Sequence, residues 1–243
     1  MGAMATIAEK IGQVRDNIQA AAERSGRDIS RIKLIIVTKS TDTDSIKEVI
    51  RLGFCDFGEN RVGQLKKVSS EIAEFLTEFH GAPNIPQKVN WHMIGHLQRN
   101  KVRQVLPIAC LIHSLDTLRL AEELNSVAGK LGVRADVLLQ VNSSGEPQKY
   151  GVPVGAATHM AEQIQTLPKL SLRGLMTMAP LTHDKDTVRA CFVRARELFE
   201  EIRGNKLVGK DFTELSMGMS QDYEIAVEEG ATILRIGSAI FTR

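Results

Sequence analysis

Lys39 closes the apolar run Leu34-Ile35-Ile36-Val37-Thr38 and is the first side chain along the sequence placed to do chemistry. An amine at the end of a buried strand is unfavourable unless a partner or a reaction uses it. Two Gly/Ser turns stand near the other end of the chain, Ser216-Met217-Gly218-Met219-Ser220 and Arg235-Ile236-Gly237-Ser238. Glycine lets successive backbone N–H groups converge on an anion, so both turns read as phosphate cradles. Ser220, just ahead of Gln221-Asp222-Tyr223, is placed to cap a following helix whose N-terminal dipole also favours an anion. Taken singly, each turn could equally be an ordinary one that needs glycine. An amine together with phosphate cradles points to a covalent site for a phosphorylated carbonyl compound, and pyridoxal 5'-phosphate is the leading candidate. Such chemistry needs the neutral amine, which desolvation and a neighbouring cation both favour. The competing reading of Lys39 is a side chain snorkelling out of a strand end.

Arg235 follows Thr232-Ile233-Leu234 in the most apolar part of the last strand-like run. A buried guanidinium stays charged and needs an acceptor. It could pair with a carboxylate such as Glu59 or Glu224, or it could face a ligand. Glu59 and Asn60 end the run before Arg61, and His92, in Trp91-His92-Met93-Ile94, lies toward the end of the third run, so all three are expected on the same rim. The spacing of His92 and His96 superficially matches a helical zinc pair. Gly95 and the strand context argue against a helix, and no Glu follows His92, so no metal site is expected. A lysine aldolase acting on a sugar phosphate and an amino-acid racemase or lyase remain the enzymatic alternatives.

Those residues need elements to position them. From Lys33 onward, β-like runs at 33–39, 56–60, 89–94, 110–115, 136–142, 171–178, 214–217 and 232–236 alternate with amphipathic helical patterns. The helical patterns lie at 44–52, 62–79, 101–106, 117–131, 154–167, 185–203 and 222–229, and Gly53, Gly132 and Gly230 are suited to stop helices. Strict alternation implies a parallel sheet, because parallel strands need helical crossovers. About eight such units in a chain of this length predict an α/β fold, a single (β/α)₈ TIM-like barrel over 1–243 with an extra N-terminal helix at about 7–24. A doubly wound open sheet is the runner-up. In a barrel, ligands bind at the C-terminal ends of the strands and phosphate favours the loops after strands seven and eight, where both Gly/Ser turns fall.

At 243 residues the chain can bury a substantial core, and a net charge of +2 is too balanced for a nucleic-acid surface. No apolar run approaches the roughly 18 residues needed to span a bilayer. The early charges Glu9, Lys10, Arg15 and Asp16 interrupt any signal-peptide core, and Met4 reads as the natural start behind Met1-Gly2-Ala3. Cys55, Cys110 and Cys191 are scattered without a CxxC pairing, as expected for reduced thiols of a cytoplasmic protein in apolar or interface positions. Nothing in the pattern demands more than a monomer.

The chain resembles the pyridoxal phosphate homeostasis proteins, also called the proline synthetase co-transcribed family. The resemblance covers nearly all of it and rests on Val37-Thr38-Lys39, Phe57-Gly58-Glu59-Asn60-Arg61-Val62, the stretch from His92 to Lys101, and Gly174-Leu175-Met176-Thr177-Met178. It continues through Glu214-Leu215-Ser216-Met217-Gly218-Met219-Ser220-Gln221-Asp222 and Arg235-Ile236-Gly237-Ser238-Ala239-Ile240-Phe241. A longer loop near Asn84 and a variant turn at Ser143-Ser144-Gly145-Glu146 depart from the pattern, away from the site. The resemblance implies a barrel similar to the N-terminal domain of alanine racemases, with Lys39 as the aldimine lysine of pyridoxal 5'-phosphate. It further implies that Ser216, Gly237 and Ser238 hold the phosphate with Met217 nearby, that Arg235 faces the pyridine nitrogen, and that Asn60 and His92 line the pocket. The family is similar in role to a cofactor carrier that balances vitamin B6 and amino-acid pools without robust catalysis, with apo forms of pyridoxal-dependent enzymes as recipients. Two expectations accord with that role. A racemase usually needs two bases, and none of the chain after Arg243 remains to supply the second. A cation against the ring nitrogen makes the ring a poor electron sink.

Overall fold

The computed structural model describes residues 5–146, 148–205 and 208–242. Met1–Met4 and the terminal Arg243 lie outside the described residues. The elements run, in chain order, α1 (Ile7–Arg24), β1 (Lys33–Val37), α2 (Thr43–Arg51), β2 (Asp56–Glu59), α3 (Val62–Glu78), β3 (Asn90–Met93), α4 (Val102–Val105), β4 (Ala109–Leu115), α5 (Leu118–Leu131), β5 (Ala135–Asn142), β6 (Val152–Pro153), α6 (Val154–Gln165), β7 (Leu170–Met176), α7 (Lys185–Gly204), β8 (Glu214–Ser216), α8 (Tyr223–Glu228), β9 (Ile233–Ile236) and α9 (Ser238–Phe241). The strands pair in parallel in the order β4-β3-β2-β1-β9-β8-β7-β5, and β4 pairs with β5 to close the ring. The two-residue β6 hangs on β5 outside it. The result is a closed, eight-stranded TIM-like barrel, so the barrel reading holds and the open sheet does not.

Period-two patterning in the strands sorts side chains to two sides. Ile36, Phe57, Met93, Ile112, Leu139 and Leu234 face outward into the core shared with the helices, and all are at most 1% exposed. Ile35, Leu111, Leu138, Met176 and Ile233 form a second apolar cluster inside the ring. The helices complete the outer layer with stripes of the i, i+3, i+4 type, as in Ile11, Val14, Ile18 and Ala21 of α1. That helix starts with a capping box in which Thr6 and Glu9 bond each other's backbone N–H groups. It packs on α8 and α9, and Asn17 donates to the Tyr223 hydroxyl at 2.8 Å. Glu229, at the end of α8, accepts from Arg189 and Arg196 of α7, each at 2.5 Å, so α7 and the last βα unit are tied together.

Two boundaries differ from the sequence pattern, and so does the placement of one cysteine. The first strand ends at Val37, because the Thr38 side chain bonds Glu59 Oε1 at 2.5 Å and Thr38 O accepts from Thr41 N, turning the chain at Lys39 and Ser40. The pattern at 101–106 is shared between a 3₁₀ turn (Arg99–Lys101) and the single-turn α4. Cys110 is exposed, while Cys55 is partly buried and Cys191 buried; all three are free. No helix of the described residues is long and apolar enough to cross a membrane, and they contain no group of three or more His, Cys, Asp and Glu side chains placed to hold a metal ion.

Gly174 holds the β7–β8 register. Its φ is +155°, and a Cβ there would lie 1.7 Å from Glu214 O. Gly174→Ala is therefore expected to destabilise the fold by about 3 kcal/mol or more in urea unfolding. Gly132→Ala, at a left-handed helix end with open space around it, should cost only about 1 kcal/mol.

Candidate functional site

A cavity of about 680 Å³ opens at the C-terminal ends of the strands. Val37 and Lys39 reach it from β1, Asn60 from β2, Arg235 from β9, and Gly237 and Ser238 from the turn that follows. Lys39 lies in a turn two residues past the strand, exposed yet on the cavity wall, rather than desolvated inside the ring. The parallel pairing of β1 with β9, Ile35 against Arg235, brings an amine from near the start of the chain to the turn near its end. Gly237 makes the approach possible, since a Cβ there would meet Val37 O at 2.8 Å.

The two Gly/Ser turns are joined by one hydroxyl. Ser220 Oγ accepts from Gly237 N at 3.3 Å and from Ala239 N at 3.1 Å. This replaces the expected capping role, because the N-cap position of α8 belongs to Asp222, whose carboxylate accepts from Met219 N at 2.6 Å. Burial raises the Asp222 pKa. Ser220 and Asp222 both line the cavity.

Arg235 is 4% exposed at the cavity floor. Its guanidinium donates to Ser216 Oγ at 2.5 Å and to Thr177 O at 2.9 Å. It forms no ion pair with a carboxylate among the described residues: Glu59 is bonded to Thr38, and Glu224 to Arg24. Burial lowers its pKa to about 10, with Asp222 the anion that opposes the shift. A guanidinium carries five N–H donors. A cation with donors to spare at the floor of a cavity suits a ligand with an acceptor there.

Three expected pocket residues lie below the wall instead. Ser216 is fully buried, because its hydroxyl accepts from Arg235 and meets His113 Nδ1 at 3.0 Å. Met217 follows it on the outward side and packs in the core between barrel and helices. His92 is 1% exposed inside the ring, where its partners are His113 and Asp56, the first residue of β2. It therefore points at the lower interior and not at the rim. The strand pattern assigns His113 no role; its one signal in the sequence is a histidine two residues from Leu111 and from Leu115 in an apolar run. Around the mouth, His96 stacks on Tyr150 with ring centroids 4.4 Å apart and bonds Asp116 at 3.2 Å. Burial raises the Asp116 pKa.

A closed parallel barrel with its functional side chains on the C-terminal rim is the TIM-like class. The model of the family described as alanine racemase, N-terminal domain, matches residues 11–243. A pyridoxal phosphate homeostasis protein of Aquifex aeolicus is 38% identical over 233 residues, covering 96% of each chain. The chain belongs to the pyridoxal phosphate homeostasis protein family, within the alanine racemase N-terminal domain group. Among solved structures, an unknown protein from Bifidobacterium adolescentis is 36% identical with a TM-score of 0.90, covering 97% of this chain and 94% of that one. PipY of Synechococcus elongatus, solved with pyridoxal phosphate bound, is 32% identical with a TM-score of 0.81, covering 97% of this chain and all of its own.

Burial lowers the pKa of His92 and pushes that of His113 well below the ordinary value. A base that loses proton affinity on folding leaves the unfolded chain binding more protons, so stability rises with pH. That contribution is complete above the unfolded value of about 6.5 and is lost as pH falls below it. The raised carboxyls Glu59, Asp116 and Asp222 act in the opposite sense, giving most below about pH 4 and losing it as pH rises toward their folded values. The melting temperature measured at about pH 7.5 should therefore fall at about pH 5.5, and His113→Gln should flatten that difference.

Proposed function

We propose that this protein holds pyridoxal 5'-phosphate in the rim cavity, covalently through Lys39 Nζ, and serves vitamin B6 and amino-acid homeostasis in the cytoplasm without robust catalysis of its own. The observation that carries the reading is the convergence of Lys39, Arg235 and the Ser220-joined turns on one cavity, in a chain 32% identical to a protein solved with pyridoxal phosphate bound. The residues present fit the group. The turn at Gly237 and Ser238, with the Ser220 hydroxyl between them, is suited to phosphate, and Asn60 stands across the cavity on the β2 side. Arg235 at the floor is suited to the ring nitrogen.

Bound pyridoxal phosphate supplies an aldehyde that condenses with an amine, nitrogen replacing oxygen as water leaves, and a ring that withdraws electrons well only when its nitrogen is protonated. A permanently charged guanidinium beside that nitrogen opposes its protonation by like-charge repulsion. Arg235 thus favours retention of the cofactor over carbanion chemistry, and the exposed Lys39 leaves the linkage open to exchange with other amines. Ser216 and His92 contribute from beneath, through Arg235, and Met217 through packing. Apo forms of pyridoxal-dependent enzymes are the recipients that fit such a carrier. A racemase or lyase acting at the same site is the second reading.

Protein incubated with pyridoxal phosphate should develop visible absorbance, and borohydride should fix the label on the peptide containing Lys39. Lys39→Ala should lose both. Arg235→Ala should stay folded and weaken retention by about 1.5–3 kcal/mol, the worth of a charge-assisted hydrogen bond. A label on another lysine overturns the covalent assignment; steady amino-acid turnover that is lost in Lys39→Ala favours the racemase or lyase.

A further inference from the structure

The barrel interior contains a row of polar side chains that cofactor binding alone does not require. Arg235 Nη1 donates to Ser216 Oγ at 2.5 Å, and Ser216 Oγ lies 3.0 Å from His113 Nδ1. His113 Nε2 lies 3.1 Å from His92 Nδ1, and His92 Nε2 lies 3.2 Å from Asp56 Oδ1. Asp56 opens β2 at the end of the ring opposite the cavity, where Asn90 Nδ2 also donates to it at 3.2 Å. One chain of hydrogen bonds therefore crosses the barrel from the cavity floor to its far end, drawing on β9, β8, β4, β3 and β2.

Its direction is set from the Asp56 end. A guanidinium only donates and an ionised carboxylate only accepts. Ser216 accepts from Arg235, so its own proton is free for His113 Nδ1; Asp56 requires a proton on His92 Nε2, leaving His92 Nδ1 to accept from His113 Nε2. Every link is satisfied in one arrangement, with both imidazoles neutral and both protons on Nε2. The groups facing the pair are Lys33 on β1, Asp56 on β2, Cys110 on β4 (3.7 Å from His92 Nε2), Glu214 on β8 and Arg235 on β9. Of these only Asp56 and Arg235 lie in line with the chain.

An apolar cluster of Ile35, Leu111, Leu138, Met176 and Ile233 shares this interior. Three fully or nearly fully buried polar side chains in the same space carry a desolvation penalty that an apolar layer would avoid. What they supply is an oriented acceptor beneath a cation. Ser216 Oγ accepts from Arg235 on one lone pair while its own proton goes to His113, and His113 keeps the tautomer that takes that proton only while His92 and Asp56 hold theirs. We propose that His113 and His92 are positioning residues which, through Ser216 and anchored on Asp56, hold the Arg235 guanidinium in one orientation at the cavity floor. The inference rests on the reading of that cavity as a pyridoxal phosphate site.

Two measurements test it. In the cofactor-free wild-type protein, long-range ¹H–¹⁵N NMR should show both rings neutral with the proton on Nε2 at neutral pH; a proton on Nδ1 of either ring, or a charged ring, overturns the chain. In the loaded protein, the ¹⁵N shift of labelled pyridoxal phosphate reports the protonation of its ring nitrogen. His113→Leu should raise the pH at which that nitrogen protonates and weaken cofactor retention about tenfold, while His113→Gln, which can still accept and donate, should restore most of both. A folded His113→Leu with wild-type retention and an unshifted nitrogen titration overturns the proposal. Should His113→Leu fail to fold, Ser216→Ala is measured in its place, with the same two results deciding. If wild-type protein takes up no cofactor, or borohydride labels a lysine other than Lys39, the binding assignment falls, whereas the tautomers still decide whether the chain exists.

Discussion

A guanidinium buried at the floor of a cavity must be held by acceptors the fold supplies, and everything near the rim is arranged around that need. Arg235 is 4% exposed and has no carboxylate in ion-pairing range among the described residues. Its acceptors are a serine hydroxyl on β8 and the Thr177 carbonyl just past β7. Neither is an anion, so the charge is solvated by dipoles and not neutralised, and burial lowers its proton affinity without removing it. A cation kept in that state exerts its field on whatever occupies the cavity. A salt-bridged arginine in the same position would be largely spent.

Barrel closure is what makes the arrangement possible. The β1–β9 pairing sets Ile35 against Arg235 and Ile36 against Ile236, so the lysine after β1 and the glycine after β9 emerge side by side. The close contact of Gly237 with Val37 O and the bonds of Ser220 Oγ to Gly237 N and Ala239 N then draw three loop segments into one wall. The outer layer sustains the closure: α1 packs across α8 and α9, and Arg189 and Arg196 of α7 hold Glu229 behind α8. These supports act at the seam where the last strands meet the first.

The interior is divided between an apolar cluster and a polar chain that runs from Asp56 to Arg235. Buried polar groups are tolerable only when fully paired. Here the donors and acceptors match in one direction only, so replacing any member leaves two buried groups unpaired. That makes the chain a source of orientation and also a point of acid sensitivity, because a proton added to either imidazole removes an acceptor.

Much of this was legible in the residues themselves. Period-two runs alternating with amphipathic stretches specify parallel strands with helical crossovers, and local hydrogen bonding and steric limits are enough to write that pattern. Lys39, Asn60, Arg235, Gly237 and Ser238 stand on the cavity as their strand-end positions require. What the sequence could not convey was which side of a strand end a residue takes and at what depth. His92 and Ser216 sit in the same motifs as rim residues, yet both turn inward, where His113 on β4 meets His92 from the neighbouring strand and Ser216 on β8 from 103 residues away in the chain. Ser220 clasps a turn 17 residues further on instead of capping its own helix. Local pattern determines elements and their order; depth, partner and proton direction follow from closing the ring, since only closure brings strands far apart in sequence within hydrogen-bonding distance.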